Sequence, residues 1–567
     1  MGTRNESNHF DAIVIGAGMS GGWAAKEFCE AGLKTLVLER GRDVKHLKDY
    51  PTTNMMPWEF KHRGQIPREI AEANPVVSRC YAFREDAMHF FVKDTEHPYV
   101  QEKPFDWIRG YQVGGKSLMW ARQTQRWSNY DFEGPARDGF AVDWPIRYED
   151  LAPWYSYVEK FAGIAGNRDG LDVLPDGEFL PAWDLNCVEN YFKDIVSKNY
   201  KGRHVIFGRC AHLSEPREIH QQQGRGQCQS RVLCQRGCPF GGYFNANSTT
   251  IAWAERTGNM TLRPYSVVHS IIYDEEKGRA TGVRVIDAQT KQSTEYFAKV
   301  IFVNGGALNT NLILLNSISR RFPAGLGNDN GLLGKYVAFH NYRARISARY
   351  EGFKEFTTDG RRPTSAYIPR FRNVYRQETD FLRGYAAGFS ASRIEWANTS
   401  GLGEVLLQNL SSDLNRGGWS VGSHMMGETI PKESNTVSLD TGRKDEWGIP
   451  LLKINIDYDD NDEKMIRDYI EQMTEMFTRA GFTDIKATDS KQAPGLDIHE
   501  MGGVRMGRDP RTSLLNKWNQ LHACRNVFVT DGACMTSTST QNPSLTYMAL
   551  TARAAHHAID QLKKGEL

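Results

Sequence analysis

The strongest constraint on how this chain folds sits near its start. Residues 9–16 (HFDAIVIG) form a short apolar run that reads as a buried parallel strand. Gly16, Gly18 and Gly21 follow in a G-x-G-x-x-G pattern; residues 20–31 read as a helix, and residues 34–39 (KTLVLE) as a second strand. The result is a βαβ unit built to hold a dinucleotide. Its first glycine permits the tight turn, the second lets a pyrophosphate approach the backbone, and the third allows close helix–strand packing. The helix N-terminus, with Ser20 in it, offers N–H groups to the phosphates. Glu39 ends the second strand 23 residues after Gly16, beside Arg40. A carboxylate there holds ribose hydroxyls and disfavours a 2′-phosphate, so NADP is not expected.

At 567 residues the chain is long enough for about two domains. A net charge of +2 gives no reason to expect nucleic acid or a membrane surface as partner. No apolar run approaches the roughly 20 residues that span a bilayer, and an integral membrane protein is not expected. The first residues lack a signal peptide's apolar stretch. Residues 42–103 are irregular and suggest a surface excursion or lid. Residues 260–306 alternate strand-like runs with turns, and residues 335–490 hold more aromatic strand candidates and a helix near 463–480. The tail returns to strand, loop and a helix from about Ser544. The pattern predicts a discontinuous architecture, with a second sheet domain inserted into a dinucleotide-binding one.

Four segments in order carry a family likeness. They are the glycine motif, residues 110–120 (GYQVGGKSLMW), residues 499–507 (HEMGGVRMG), and residues 526–532 (NVFVTDG) followed by 540–546 (TQNPSLT). Together they resemble the glucose–methanol–choline (GMC) oxidoreductases, and most closely the large subunits of bacterial FAD-dependent sugar dehydrogenases, including glucoside 3-dehydrogenases. The resemblance covers the whole chain, though residues 320–490 match only loosely. It implies an α/β fold: a Rossmann-like FAD-binding domain, of the GMC and p-hydroxybenzoate hydroxylase-like type, with an inserted α+β substrate domain built on an antiparallel sheet. The FAD-binding part is expected from residues 1–45, 105–135, 225–320 and 495–567. Residues 46–104, 136–224 and 321–494 are expected to form the substrate domain, lid and approach to a cysteine loop.

By the same resemblance His499 and Asn542 face the flavin ring as the catalytic pair. An imidazole with an ordinary pKa of about 6.5 suits taking a hydroxyl proton at neutral pH. Gly114, Gly115, Ser117 and Met119 would let backbone reach the flavin, and Val267 or Val268 would touch the adenine. Gly305, Asp531, Gly532, Pro543 and Thr546 complete the expected cofactor contacts, with a helix N-terminus near Ser544 placed to stabilise negative charge on reduced flavin. No histidine stands in residues 110–120, so non-covalent FAD is expected.

Nine cysteines in this length do not make a disulfide scaffold. Six are scattered, but Cys228, Cys234 and Cys238 follow a C-x5-C-x3-C-P spacing. Short spacings ending in Cys-Pro resemble iron–sulfur ligation, and the resemblance to sugar dehydrogenase subunits implies a 3Fe–4S cluster there. Zinc, with His212 or His220 as fourth ligand, and plain structural thiols are the competing readings. Arg225, Arg231 and Arg236 suit a net-negative cluster and equally a solvated surface.

The expected reaction is oxidation of a secondary hydroxyl on a sugar or glycoside, favoured at the 3-position of a glucoside, by hydride transfer to flavin. Electrons would leave through the cluster to an external acceptor, a haem subunit, quinone or dye. Gluconate 2-dehydrogenase-like chemistry, an oxygen-using pyranose or glycoside oxidase, and a non-catalytic flavin-binding redox subunit are the alternatives. Trp107, Trp120, Trp127 and Tyr111 are candidates for stacking on a sugar, and His340, His424 and Glu428 for a polar pocket. The resemblance also implies a small signal-bearing partner subunit, giving a periplasmic location on co-export and a cytoplasmic one otherwise.

Overall fold

The computed structural model describes residues 8–356, 360, 362–394 and 418–567; the first seven residues, read above for a leader, lie outside them. The first strand, β1 (His9–Ile15), the helix α1 (Met19–Glu30) and the second strand, β2 (Thr35–Leu38), form the expected βαβ unit. β1 lies between β2 and the strand Ser293–Val303, and all three run parallel. Met260–Arg263 extends this sheet beyond β2, and Cys524–Val529 extends it on the other side. The apolar run of β1 is continuous because both faces are covered. Ile13 and Ile15 pack into one core and Ala12 and Val14 into another. A parallel sheet clothed on both sides requires that composition. Strands Ser266–Asp274 and Arg279–Asp287 form an antiparallel excursion returning to Ser293–Val303.

Among the described residues the second sheet has seven strands, all paired antiparallel, with Trp419–Glu428 at its centre. The helix Asp460–Arg479 packs on it through Met465, Tyr469, Met473, Met476 and Phe477, spaced three to four residues apart on one face. Asp459 caps that helix by accepting the Asp462 backbone N–H. A third sheet joins Val100–Gln101, Lys335–Ala338, Thr436–Lys444, Pro450–Asn455 and Met501–Gly503. It draws on segments that sequence reading divided among lid, substrate and cofactor portions. Among the described residues no helix is long and apolar enough to cross a membrane.

Candidate active site

Four parallel strands deliver their next residues to one cavity. Gly16 follows β1, Glu39 follows β2, Asn304 and Gly305 follow Ser293–Val303, and Asp531 lies just past Cys524–Val529; all line a space of about 520 Å³. Ligands bind open α/β sheets at this carboxyl edge. Gly16 is required there: its φ is +95°, and a Cβ would stand 2.3 Å from the Asn304 carbonyl oxygen. Gly21 faces away from the cavity, where a Cβ would meet the Gly16 carbonyl oxygen at 1.8 Å, so its part is helix–strand packing.

At one end, Glu39 is buried with its carboxylate accepting the N–H groups of Ala17 (3.1 Å) and Gly41 (3.0 Å). Burial pushes its pKa up. The Arg40 guanidinium lies over Tyr111 (4.2 Å) and Trp447 (5.2 Å), and Val267 and Val268 close the wall beside them. Gly18, Ser20 and the N-terminus of α1 border the middle, with Gly115, Ser117 and Met119 also in the lining. Ser117 spends its hydroxyl within the protein, donating to Gly114 O (2.5 Å) and accepting from Ala246 N (3.0 Å), and its backbone N–H also donates to Gly114 O (3.1 Å).

At the other end stand His499 and Asn542, with Gly532, Pro543, Ser544 and Tyr547. Asn542 Nδ2 is 3.2 Å from His499 Nε2. His340 Nδ1 is 2.8 Å from His499 Nδ1. The Asp497 carboxylate accepts the backbone N–H of both His340 (2.9 Å) and His499 (3.2 Å). Burial holds His499 well below the usual histidine range and pushes Asp497 up to about 7. Lys116 reaches the same end and pairs with Glu500 at 2.9 Å. Asp531 accepts from Gly306 N (2.8 Å), Ala533 N (3.0 Å) and the Thr310 hydroxyl (2.6 Å), while burial raises its pKa to about 6. Beyond His499 the lining continues with Trp120, Tyr342, Tyr367, His424 and Met426.

Most sequence-derived site residues therefore share one space, with definite exceptions. Gly114 takes φ +94° and packs on Asn247 (a Cβ would lie 1.7 Å from Oδ1), outside the cavity lining. Thr546 is buried on the Tyr155 hydroxyl at 2.8 Å. Trp107, Trp120 and Tyr111 line the cavity, whereas Trp127 is core, packed edge-on against Trp144. Glu428 is fully buried between Arg370 and Arg383 in an ion network with Asp131, not in a polar pocket. His424 lines the cavity; His340 stands behind His499. Sequence reading missed Asp497, Lys116 with Glu500, and the His340–His499 pairing, which spans 159 positions and leaves no local signal.

The three clustered cysteines are half-buried. Cys238 Sγ accepts from Gly242 N at 3.3 Å, and Cys234 Sγ lies 3.7 Å from His212 Nε2. Among the described residues their sulfurs are not gathered within 4.8 Å of one another, wider than a single tetrahedral zinc with Zn–S of about 2.3 Å accepts. His220 is spent elsewhere, on Arg217 N (3.0 Å) and Lys160 O (3.1 Å). The zinc reading is not supported by this geometry.

The pieces fit FAD: a strand-edge carboxylate at one end, a glycine-lined helix N-terminus in the middle, and an imidazole with a carboxamide at the other. Comparison with known proteins agrees. The family models for GMC oxidoreductases match residues 10–340 and 431–551. The chain is 28% identical to 2-methyl-1,2-propanediol dehydrogenase of Mycolicibacterium austroafricanum, over 96% of this chain and 94% of that protein. It is 26% identical to the fructose dehydrogenase large subunit of Gluconobacter japonicus, over 99% of this chain and 100% of the relative. Pyridoxine 4-oxidase from Mesorbium loti has the same fold, with a TM-score of 0.59 at 16% identity, covering 96% of this chain and 98% of that one. The chain belongs to the GMC oxidoreductase family and is an FAD-dependent oxidoreductase acting on the CH–OH group of alcohols or sugars.

Proposed function

We propose that this chain is a dehydrogenase for a neutral sugar or glycoside, oxidising a secondary hydroxyl, by preference at the 3-position of a glucoside. The observation that carries the reading is the single cavity in which His499 and Asn542 meet a wall of aromatic and uncharged polar side chains. Bound FAD supplies the acceptor for the hydrogen that leaves carbon with its electron pair. The protein's part is to orient the carbinol and take its proton at His499 Nε2, beside the Asn542 amide. Trp120, Tyr342 and Tyr367 offer faces and hydroxyls to a sugar ring. The cations in the lining are engaged elsewhere: Lys116 with Glu500, Arg109 with Asp94 (3.5 Å), Arg40 over aromatic rings, and Arg122 toward Cys234. Of these, Lys116 and Arg109 are paired with carboxylates, and the aromatic and uncharged polar wall beside His499 is what favours a neutral substrate.

Cys228, Cys234 and Cys238 would hold a 3Fe–4S cluster, which would supply a one-electron path from the flavin to an external acceptor. Two buried guanidiniums support this reading. Arg122 and Arg225 have no carboxylate partner among the described residues, and each leaves a nitrogen without a hydrogen bond. Arg122 faces Cys234, with Tyr243 and Tyr81 after it, and Arg225 faces Cys238. A buried charge needs a counter-charge, and thiolates around a cluster provide it. The thiol loop is bonded to the segment before it through Thr53 to Gly237 O (2.8 Å) and Arg236 to Met55 O (2.9 Å). Met56, Trp58, Val232 and Phe240 on these two segments are exposed at 51%, 67%, 61% and 42%, which favours cover by a partner that accepts the electron. A small co-exported subunit, and with it a periplasmic location, belongs to the same reading.

Purified protein is expected to show flavin absorbance with a broad brown shoulder, about three irons per chain, and bleaching by a methyl glucoside but not by gluconate. Cys234→Ser should lose the iron and keep the flavin. Iron-free protein with normal flavin would remove the cluster from the proposal, and bleaching by gluconate alone would overturn the substrate.

A further inference from the structure

The reading of His499 as base leaves one requirement open: a neutral imidazole accepts a proton at Nε2 only when its own hydrogen sits on Nδ1. His499 Nδ1 faces His340 Nδ1 at 2.8 Å, with the rings nearly perpendicular at 83°. Exactly one hydrogen fits between two such nitrogens, so the two rings cannot choose tautomers independently.

The neighbour on the substrate side fixes the choice. On the substrate side, the group 3.2 Å from His499 Nε2 is the Asn542 amide nitrogen, which donates and cannot accept. Nε2 of His499 therefore presents its lone pair. On the far side, His340 Nε2 is buried without a hydrogen-bond partner. With the shared hydrogen on His499 Nδ1, His340 Nδ1 is bare and its own hydrogen lies on Nε2, a ring on which the Ser539 carbonyl also acts. The chain of donors then runs one way: Asn542 Nδ2–H to His499 Nε2, and His499 Nδ1–H to His340 Nδ1. Asp497 fixes the spacing by accepting both backbone N–H groups. The charged groups facing this pair are Asp497, Lys116 and Glu500, with Arg370 acting on His340 from behind.

We infer that His340 is a positioning residue that sets the tautomer of His499, so that the catalytic nitrogen carries a lone pair, held by the Asn542 amide N–H until a substrate hydroxyl takes that place. It rests on the reading of His499 as the base, and it assigns His340 a part without contact to substrate or flavin. When the hydroxyl O–H breaks and Nε2–H forms, the resulting imidazolium keeps its Nδ1–H bond to His340, and no second proton moves.

The test is anaerobic, single-turnover reduction of the holoenzyme flavin by a substrate sugar in His340→Leu, His340→Gln and His499→Ala, each checked for flavin content and thermal midpoint. His340→Leu removes the acceptor and is expected to slow reduction by roughly 10- to 100-fold, part of the range of a general base, with substrate Kd within about threefold. His340→Gln restores an acceptor through its carboxamide oxygen and is expected to recover most of the rate. Wild-type rates in His340→Leu with a slow His499→Ala would overturn the positioning role and leave the base intact. Normal rates in both would overturn the base itself. Should His340→Leu lose flavin or fold poorly, the glutamine variant decides: a folded, flavin-loaded His340→Gln as slow as His499→Ala refutes the inference.

Discussion

His499 shows how much one side chain gains from its surroundings. Burial keeps its imidazole neutral far below the usual range, which is the form a base needs. Replacing it by alanine is expected to lower the rate of flavin reduction by about 10²- to 10⁴-fold while the flavin absorbance of the purified protein is unchanged; stopped-flow reduction measures both. The identity of this residue was legible in the sequence because glycines and an arginine flank it in a recurring order. Its partner was not: His340 was visible only as a polar residue in the inserted part, since strand register and not spacing brings it to His499. Glu428 was misplaced for a related reason. A lone carboxylate in a strand gives no hint that two arginines from other strands will bury it.

At the scale of elements, the glycine turn after β1 and the ion network beside the site make opposite kinds of demand. Gly16→Ala puts a methyl against the Asn304 carbonyl at a positive φ, a strain of about 1–3 kcal/mol. It is expected to release FAD on gel filtration, read from the 450 nm absorbance that stays with protein. The network is electrostatic instead: Arg370 bonds Asp131, Glu428, Ser539 and Gln541, none of them more than 1% exposed. It fastens the helix Asn129–Phe132 and the central strand Trp419–Glu428 to the loop that carries Asn542. Arg370→Met leaves Arg383 as the one cation among the described residues against two buried carboxylates, Asp131 and Glu428, and a loss of about 3–5 kcal/mol is expected, measured by urea denaturation. The βαβ unit, the Asp460–Arg479 helix and the C-terminal helix were legible because their apolar periods are long and their ends are marked. The third sheet was not, since its strands are drawn from four distant stretches, and Val100–Gln101, Lys335–Ala338 and Met501–Gly503 are too short to carry a periodic signal.

For the molecule as a whole, buried histidines set the response to acid. Burial lowers His46, His89, His220 and His424 to about 4, and His97 and His340 to about 3. Unfolded, each takes up a proton near pH 6.5, so each adds stability above that pH and loses it as the pH falls, by up to about 1.4 kcal/mol per pH unit. Asp462, Asp497 and Asp531, raised by burial to about 8, 7 and 6, act in the opposite sense but are fewer. The thermal midpoint is therefore expected to fall steadily from pH 7 to pH 5; a flat or rising profile, followed by tryptophan fluorescence on heating, would contradict this balance.

The strand Cys524–Val529 lies inside the same sheet as β1, next but one to it, and Asn542 stands 526 positions after Gly16. During synthesis the glycine turn emerges first, and its opposite wall is made only when those later residues have been added. Until then the nascent chain carries half a cradle.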